Sequence, residues 1–109
     1  MKKKVLGPTF SERVVRLAQK IPSGRVTTYG RIARSAGGGA MSAQSITSIL
    51  GKAEGEGASI PFHRIVYADG RIWINEQYRA QRMKLYKQEG IEIEKNDRIK
   101  YFWDVLYEF

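Results

Sequence analysis

Ile21-Pro22-Ser23-Gly24-Arg25-Val26-Thr27-Thr28-Tyr29-Gly30-Arg31-Ile32-Ala33 is the stretch whose reading decides the fold. Pro22-Ser23-Gly24 closes whatever helix precedes it, because neither proline nor glycine sustains one. Arg25-Val26-Thr27 then reads as a short extended piece, and Thr28 is placed to cap a helix over Tyr29–Ala36. Working backwards, Thr9 followed three residues later by Glu12 forms a capping box. Phe10, Val14, Leu17, Ala18 and Ile21 then share one helical face. Working forwards, Gly37, Gly38 and Gly39 interrupt the chain. A further helix is expected over about Ser42–Lys52, with Ala43, Ile46, Ile49 and Leu50 turned inward. Helix, glycine-containing connection, helix is the outline of a helix-turn-helix. The second of its helices exposes Gln44, Ser45, Thr47 and Ser48, a small polar face without positive charge.

Beyond a flexible loop at Glu54–Ser59, the chain Ile60-Pro61-Phe62-His63-Arg64-Ile65-Val66 begins irregular and ends as a strand. Asp69-Gly70 predicts a hairpin between Ile65–Tyr67 and Arg71–Ile74, the wing of a winged helix. A fourth helix is expected over Glu76–Gln88, stopped by Gly90, followed by a short extended segment at Ile91–Glu94. A last helix over Asp97–Tyr107 carries Ile99, Phe102, Trp103 and Leu106 at helical spacing, a stripe suited to core packing or an oligomer contact. The expectation is thus a single domain, residues 1–109, mostly α with a small β-hairpin. It has a basic N-terminal segment (1–8) and an aromatic C-terminal helix (about 97–107).

Composition narrows the function classes. At 42% hydrophobic and 28% charged residues, the 109-residue chain has an ordinary globular balance. It contains no cysteine and one histidine, His63, which excludes disulfides, thiolate chemistry and a histidine-rich metal cluster. No apolar run approaches membrane-spanning length, so an intracellular, cytoplasmic protein is expected, nucleoid-associated if bacterial. The net charge of +8 is one-sided. Through Ala36 the basic residues are Lys2, Lys3, Lys4, Arg13, Arg16, Lys20, Arg25, Arg31 and Arg34, against the single acid Glu12. From Glu54 onward the charges nearly cancel. A basic first segment suits nucleic acid or an acidic membrane surface, and the plain alternative is a solubilising tail with solvated helix faces.

Pro61-Phe62-His63-Arg64 gathers an aromatic ring, the imidazole and a guanidinium beside a flexible loop. Taken alone, Phe62 reads equally as core, His63 as a buried histidine with a backbone partner, and Arg64 as a surface charge. Tyr29 is similarly open: it can be packing, or its hydroxyl can meet a phosphate.

The ordered set of motifs is more specific. Ile21–Ala33 resembles the strand and first DNA-binding helix of the O6-alkylguanine-DNA alkyltransferases. Ile60–Val66 resembles their Pro-Cys-His-Arg-Val active-site motif, and Glu89-Gly90 is similar to their closing Glu-Gly; the likeness spans Phe10 to Ile93. In those enzymes a cysteine thiolate takes the alkyl group, activated by a histidine that a glutamate orients. Here His63 and Glu89 remain as relay remnants, but Phe62 has no nucleophilic atom. This is the pattern of the non-enzymatic alkyltransferase-like proteins, which usually carry Trp or Ala there.

The resemblance implies a winged helix-turn-helix-like domain of the DNA alkyltransferase C-terminal type. It would bind O6-alkylguanine in duplex DNA, flip the nucleotide out and signal to nucleotide excision repair proteins, as a monomer without cofactor, metal or membrane. It implies that Tyr29 crowds the 3′ phosphate and that the Ser42–Lys52 helix enters the minor groove with Ser45 and Ser48 close to DNA. Phe62 would wall the lesion pocket beside Pro61 and His63, Arg64 would be mainly a support, and Trp73 would stand on the pocket rim. The chain departs from the family where Gln44 replaces an intercalating arginine and where Thr47-Ser48 replaces a pair of small residues. The asparagine after that helix is missing, and the aromatic tail beyond Asn96 is extra. Two other functions fit the residues: a winged-helix regulator indifferent to lesions, and a protein-interaction adaptor using the Ile99–Leu106 stripe.

Overall fold

The computed structural model describes residues 9–39 and 44–109. The basic tail Lys2–Lys4 and the expected start of the second DNA-binding helix at Ser42, with Ala43, lie outside the described residues.

Local signals are obeyed in the first third of the chain. The Thr9 hydroxyl accepts from the Glu12 amide at 3.1 Å and the Glu12 carboxylate accepts from the Thr9 amide at 3.2 Å, starting α1 (Phe10–Lys20). After the Pro22-Ser23-Gly24 turn comes β1 (Thr27–Thr28). The Thr28 hydroxyl accepts from the Arg31 amide at 3.1 Å and caps α2 (Tyr29–Ser35). The next helix, α3, spans Ile46–Gly55, three residues past the expected end at Lys52. A 3-10 turn over Phe62–Arg64 leads into β2 (Ile65–Val66), and α4 (Arg79–Gln88) follows.

The sheet is not the expected hairpin. β2 pairs in parallel with β1, Thr27 opposite Ile65 and Thr28 opposite Val66, and α2 and α3 form the crossover. Asp69-Gly70 does make a tight turn, in which the Tyr67 amide donates to the Arg71 carbonyl at 2.9 Å. The ladder stops there because its second limb is claimed elsewhere: Ile72 donates to Asp97 and Ile99 to Gly70, each at 2.9 Å. The wing is therefore a turn fastened to the C-terminal chain. The two strands divide two cores, since consecutive strand residues point to opposite faces. Ile65 packs with Val14, Ala18, Ile32 and Leu50 from α1, α2 and α3, whereas Val66 packs with Val26, Tyr86, Ile91 and Ile99.

Two further expectations are corrected. The α4 segment starts at Arg79, residues 76–78 forming a turn in which Asn75 accepts from the Tyr78 amide. The aromatic helix over Asp97–Tyr107 shrinks to one turn, α5 (Phe102–Val105). Its first half is used as strand: Ile99 pairs antiparallel with Ile93, and Lys100 donates to the Glu92 carbonyl at 2.9 Å. Amides committed to another segment cannot close helical turns, and Asp97 and Tyr101 at φ 60° and 56° break the helix further. The stripe does not form. Ile99 and Leu106 are buried, while Trp103 is 75% exposed.

Candidate functional site

Glu89, the residue after α4, is the part-buried hub of the site. His63 Nε2 lies 2.6 Å from Glu89 Oε2. Arg64 donates Nε to Glu89 Oε1 at 3.0 Å and Nη2 to Oε2 at 2.7 Å, while its Nη1 donates to the Ile21 carbonyl at 2.9 Å. The Gly24 amide completes the set, donating to Oε1 at 3.0 Å. That approach explains the glycine: its φ is +85°, and a Cβ there would stand 3.3 Å from the Glu89 carbonyl oxygen. Burial alone would push the Glu89 carboxyl up, but hydrogen bonds from Arg64, Gly24 and His63 outweigh it and hold it at about 2. The tie joins the end of α1, the β1 approach, the 3-10 turn and α4 in one network.

Above this tie opens a cavity of about 600 Å³, lined by Tyr29, Gln44, Thr47, Phe62, Tyr67, Trp73 and Arg82. Its size suits a small planar ligand, since such sites run from about 300 to 1,000 Å³. Its walls are aromatic: Tyr29 and Tyr67 have ring centroids 5.7 Å apart, and the Arg82 guanidinium stacks 5.3 Å from the Trp73 ring. Burial pushes the Tyr29 hydroxyl above its ordinary value, Tyr67 adds to the rise, and Arg82 and a hydrogen bond with Thr47 partly offset it. Tyr29 thus stays protonated at neutral pH and can donate. Tyr86 lies behind the cavity with its ring edge-on to His63, and burial raises its hydroxyl to about 12. No side chain on the cavity wall carries a thiol or an activated hydroxyl, so the site can stack and hydrogen-bond but cannot take an alkyl group onto cysteine.

Of the residues expected at the site, the structure brings Tyr29, Gln44, Phe62 and Trp73 around this cavity. His63 is buried beneath it and also borders the adjoining depression between Phe62 and α4. Pro61 sits half-buried at the head of the 3-10 turn, its carbonyl accepting from the Arg64 amide at 2.9 Å. Arg64 faces inward, its guanidinium engaged by Glu89 and by the Ile21 carbonyl. Ser45 and Ser48 do not line the cavity; both are exposed, Ser45 at the N-cap of α3 and Ser48 in its first turn. Sequence reasoning missed Tyr67 and Arg82. Helical spacing could have found Arg82, which lies seven residues before Glu89 and so on the same face of α4. Nothing local marks Tyr67. Among the described residues no cluster of three or more His, Cys, Asp or Glu could hold a metal, and no helix is long and apolar enough to cross a membrane.

Residues 9–91 match the family described as 6-O-methylguanine DNA methyltransferase, DNA binding domain. The chain is 30% identical over 99 residues to a DNA base-flipping protein of Escherichia coli, covering 88% of this chain and 75% of the relative. A DNA base-flipping protein of Vibrio parahaemolyticus is 30% identical over 100 residues, covering 86% and 95% respectively. The fold is that of S. pombe Atl1, solved in complex with damaged DNA containing O6-carboxymethylguanine. The two superimpose with a TM-score of 0.71 over 92% of this chain and 95% of that one, at 23% identity.

Proposed function

The chain belongs to the 6-O-methylguanine DNA methyltransferase DNA-binding-domain family, and from that premise we propose that it binds O6-alkylguanine in duplex DNA by flipping the damaged nucleotide out of the helix. The observation that carries this reading is the open aromatic cavity standing on a His63–Glu89 pair in a chain without cysteine. O6-alkylation weakens pairing, so extruding the damaged base costs less than extruding guanine. Phe62 and Trp73 offer apolar and stacking walls to the base and its alkyl group, and the Tyr29 hydroxyl meets the backbone phosphate of the rotated nucleotide. The exposed Ser45, Thr47 and Ser48 keep α3 slim enough for the minor groove, and Gln44 points toward the place the base has left.

Because no nucleophile is present, the lesion leaves the site unchanged. The protein marks damage for a separate excision process, and nucleotide excision repair proteins are the partners that fit. Residues 1–109 act as one DNA-binding domain, as a monomer, in the compartment that holds the DNA. Fluorescence titration of an O6-methylguanine duplex against the matched guanine duplex at fixed salt tests the reading. Tighter binding to the damaged duplex is expected. Equal affinity for both would overturn it in favour of a winged-helix regulator, and no affinity for either would favour an adaptor.

A further inference from the structure

On the outer face of α2, Arg31, Arg34 and Ser35 surround a pit of about 210 Å³ whose other wall is Tyr107, Glu108 and Phe109. The C-terminal wall is held in place. The Val26 amide donates to Val105 at 3.0 Å and the Tyr107 amide to Val26 at 2.7 Å, making the tail a strand-like neighbour of β1. Tyr107 packs on the first core, and the Phe109 ring meets it edge-on with centroids 5.3 Å apart. Glu108 lies between these two residues, and both its carboxylate oxygens lie 2.8 Å from Arg31 Nη1. Arg34, one turn along, is exposed and has no ion pair among the described residues.

We infer that this pit is a second DNA-backbone site, in which a phosphate takes Arg31, Arg34 and the Ser35 hydroxyl, and that Glu108 closes it in the free protein. Three observations support it. Two guanidiniums and a hydroxyl converging on one pit match the acceptor-rich surface of a phosphate. Glu108 is 68% exposed, and an ion pair so open contributes little stability, so a phosphate can displace it. The pit also lies on α2, whose first residue, Tyr29, lines the cavity. The inference rests on the DNA-binding reading above.

The test measures duplex affinity by anisotropy for the parent, Glu108→Gln, Arg31→Gln/Arg34→Gln and the triple variant, with Glu108→Ala as a second probe of the same position. Glu108→Gln is expected to tighten binding to damaged and undamaged duplex alike by about threefold or more, and to steepen the log–log salt dependence by about 0.9, one further phosphate. Its melting temperature should stay at the parent value. In the Arg31→Gln/Arg34→Gln background the gain should vanish. No gain in the parent background overturns the inference, and so does an equal gain in both backgrounds, which would make Glu108 a distant repulsive charge. A parent that binds no duplex removes both readings, whereas duplex binding indifferent to Glu108 removes only this one.

Discussion

The tie under the cavity and the wall around it are built on opposite principles. Beneath, the Glu89 carboxylate accepts from His63, Arg64 and Gly24, its side chain only 9% exposed. Above, Trp73 and Tyr67 are exposed, Phe62 is half-buried, and the cavity they border is open. The tie welds four segments together, as a part-buried ion network can. The wall leaves apolar and stacking surface uncovered, which a folded protein retains where something is to be bound. In a relative with a cysteine at position 62 the tie would serve chemistry. With Phe62 in that place the tie joins segments of the fold, and stability and lesion recognition are predicted to separate between the two regions.

The largest effect is expected at the tie. Glu89→Ala strands a half-buried guanidinium and a buried imidazole without their acceptor, which should cost about 3–5 kcal/mol of stability. Urea unfolding measures it, and a loss within the roughly 0–1 kcal/mol of an exposed pair would show that the tie is only a surface contact. The same residue sets an acid limit. Its folded-state value of about 2 lies below the ordinary 4.5. The stability it contributes is therefore complete above about pH 4.5 and is lost as the pH falls from there to about 2. The urea midpoint of the parent should drop through that window, and Glu89→Ala should lack this part of the drop. Parallel profiles for the two proteins would contradict the assignment.

On the wall the expected effects are smaller and fall on recognition. Phe62→Ala should cost about 2 kcal/mol of stability, less than the roughly 3–5 kcal/mol of a fully buried phenylalanine, because one side of the ring already faces the cavity. It should also lower the preference for alkylated over undamaged duplex, most for bulky alkyl groups. A variant that loses stability but keeps its lesion preference would move Phe62 from the wall to the core. The smallest shift belongs to Gln44→Arg. A longer, charged side chain at the cavity edge should tighten binding to every duplex, with an additional gain for the damaged one on the order of 1 kcal/mol from stacking in the vacated space. Gln44 is exposed, so its unfolding curve should match the parent's. Equal gains for damaged and undamaged DNA would reduce Gln44 to a surface position near phosphates.

What the sequence determined by itself was what neighbours in the chain decide. The Thr9–Glu12 box, the Pro22-Ser23-Gly24 stop, the Thr28 cap and the Gly90 terminus lie where they were read, because each depends on hydrogen bonds a few residues long. The motif likeness placed Tyr29, Phe62, His63 and Glu89 in one site; Tyr29 and Phe62 line one cavity, and His63, next to Phe62 in the chain, pairs with Glu89. The tertiary structure decided what distant backbone competes for. Asp69-Gly70 dictates a turn, but β1 had already taken the edge of Ile65–Val66 and Asp97 took the amide of Ile72, so no hairpin grew from it. Ile99 through Leu106 has helical spacing, yet the carbonyls of Gly70 and Glu92 drew the amides of Ile99 and Lys100 into strand pairing and left a single turn. Tyr67 and Arg82 reached the cavity, and Glu108 reached Arg31, for the same reason. A side chain's local pattern says which face it takes, but only the packing of whole segments says what stands opposite.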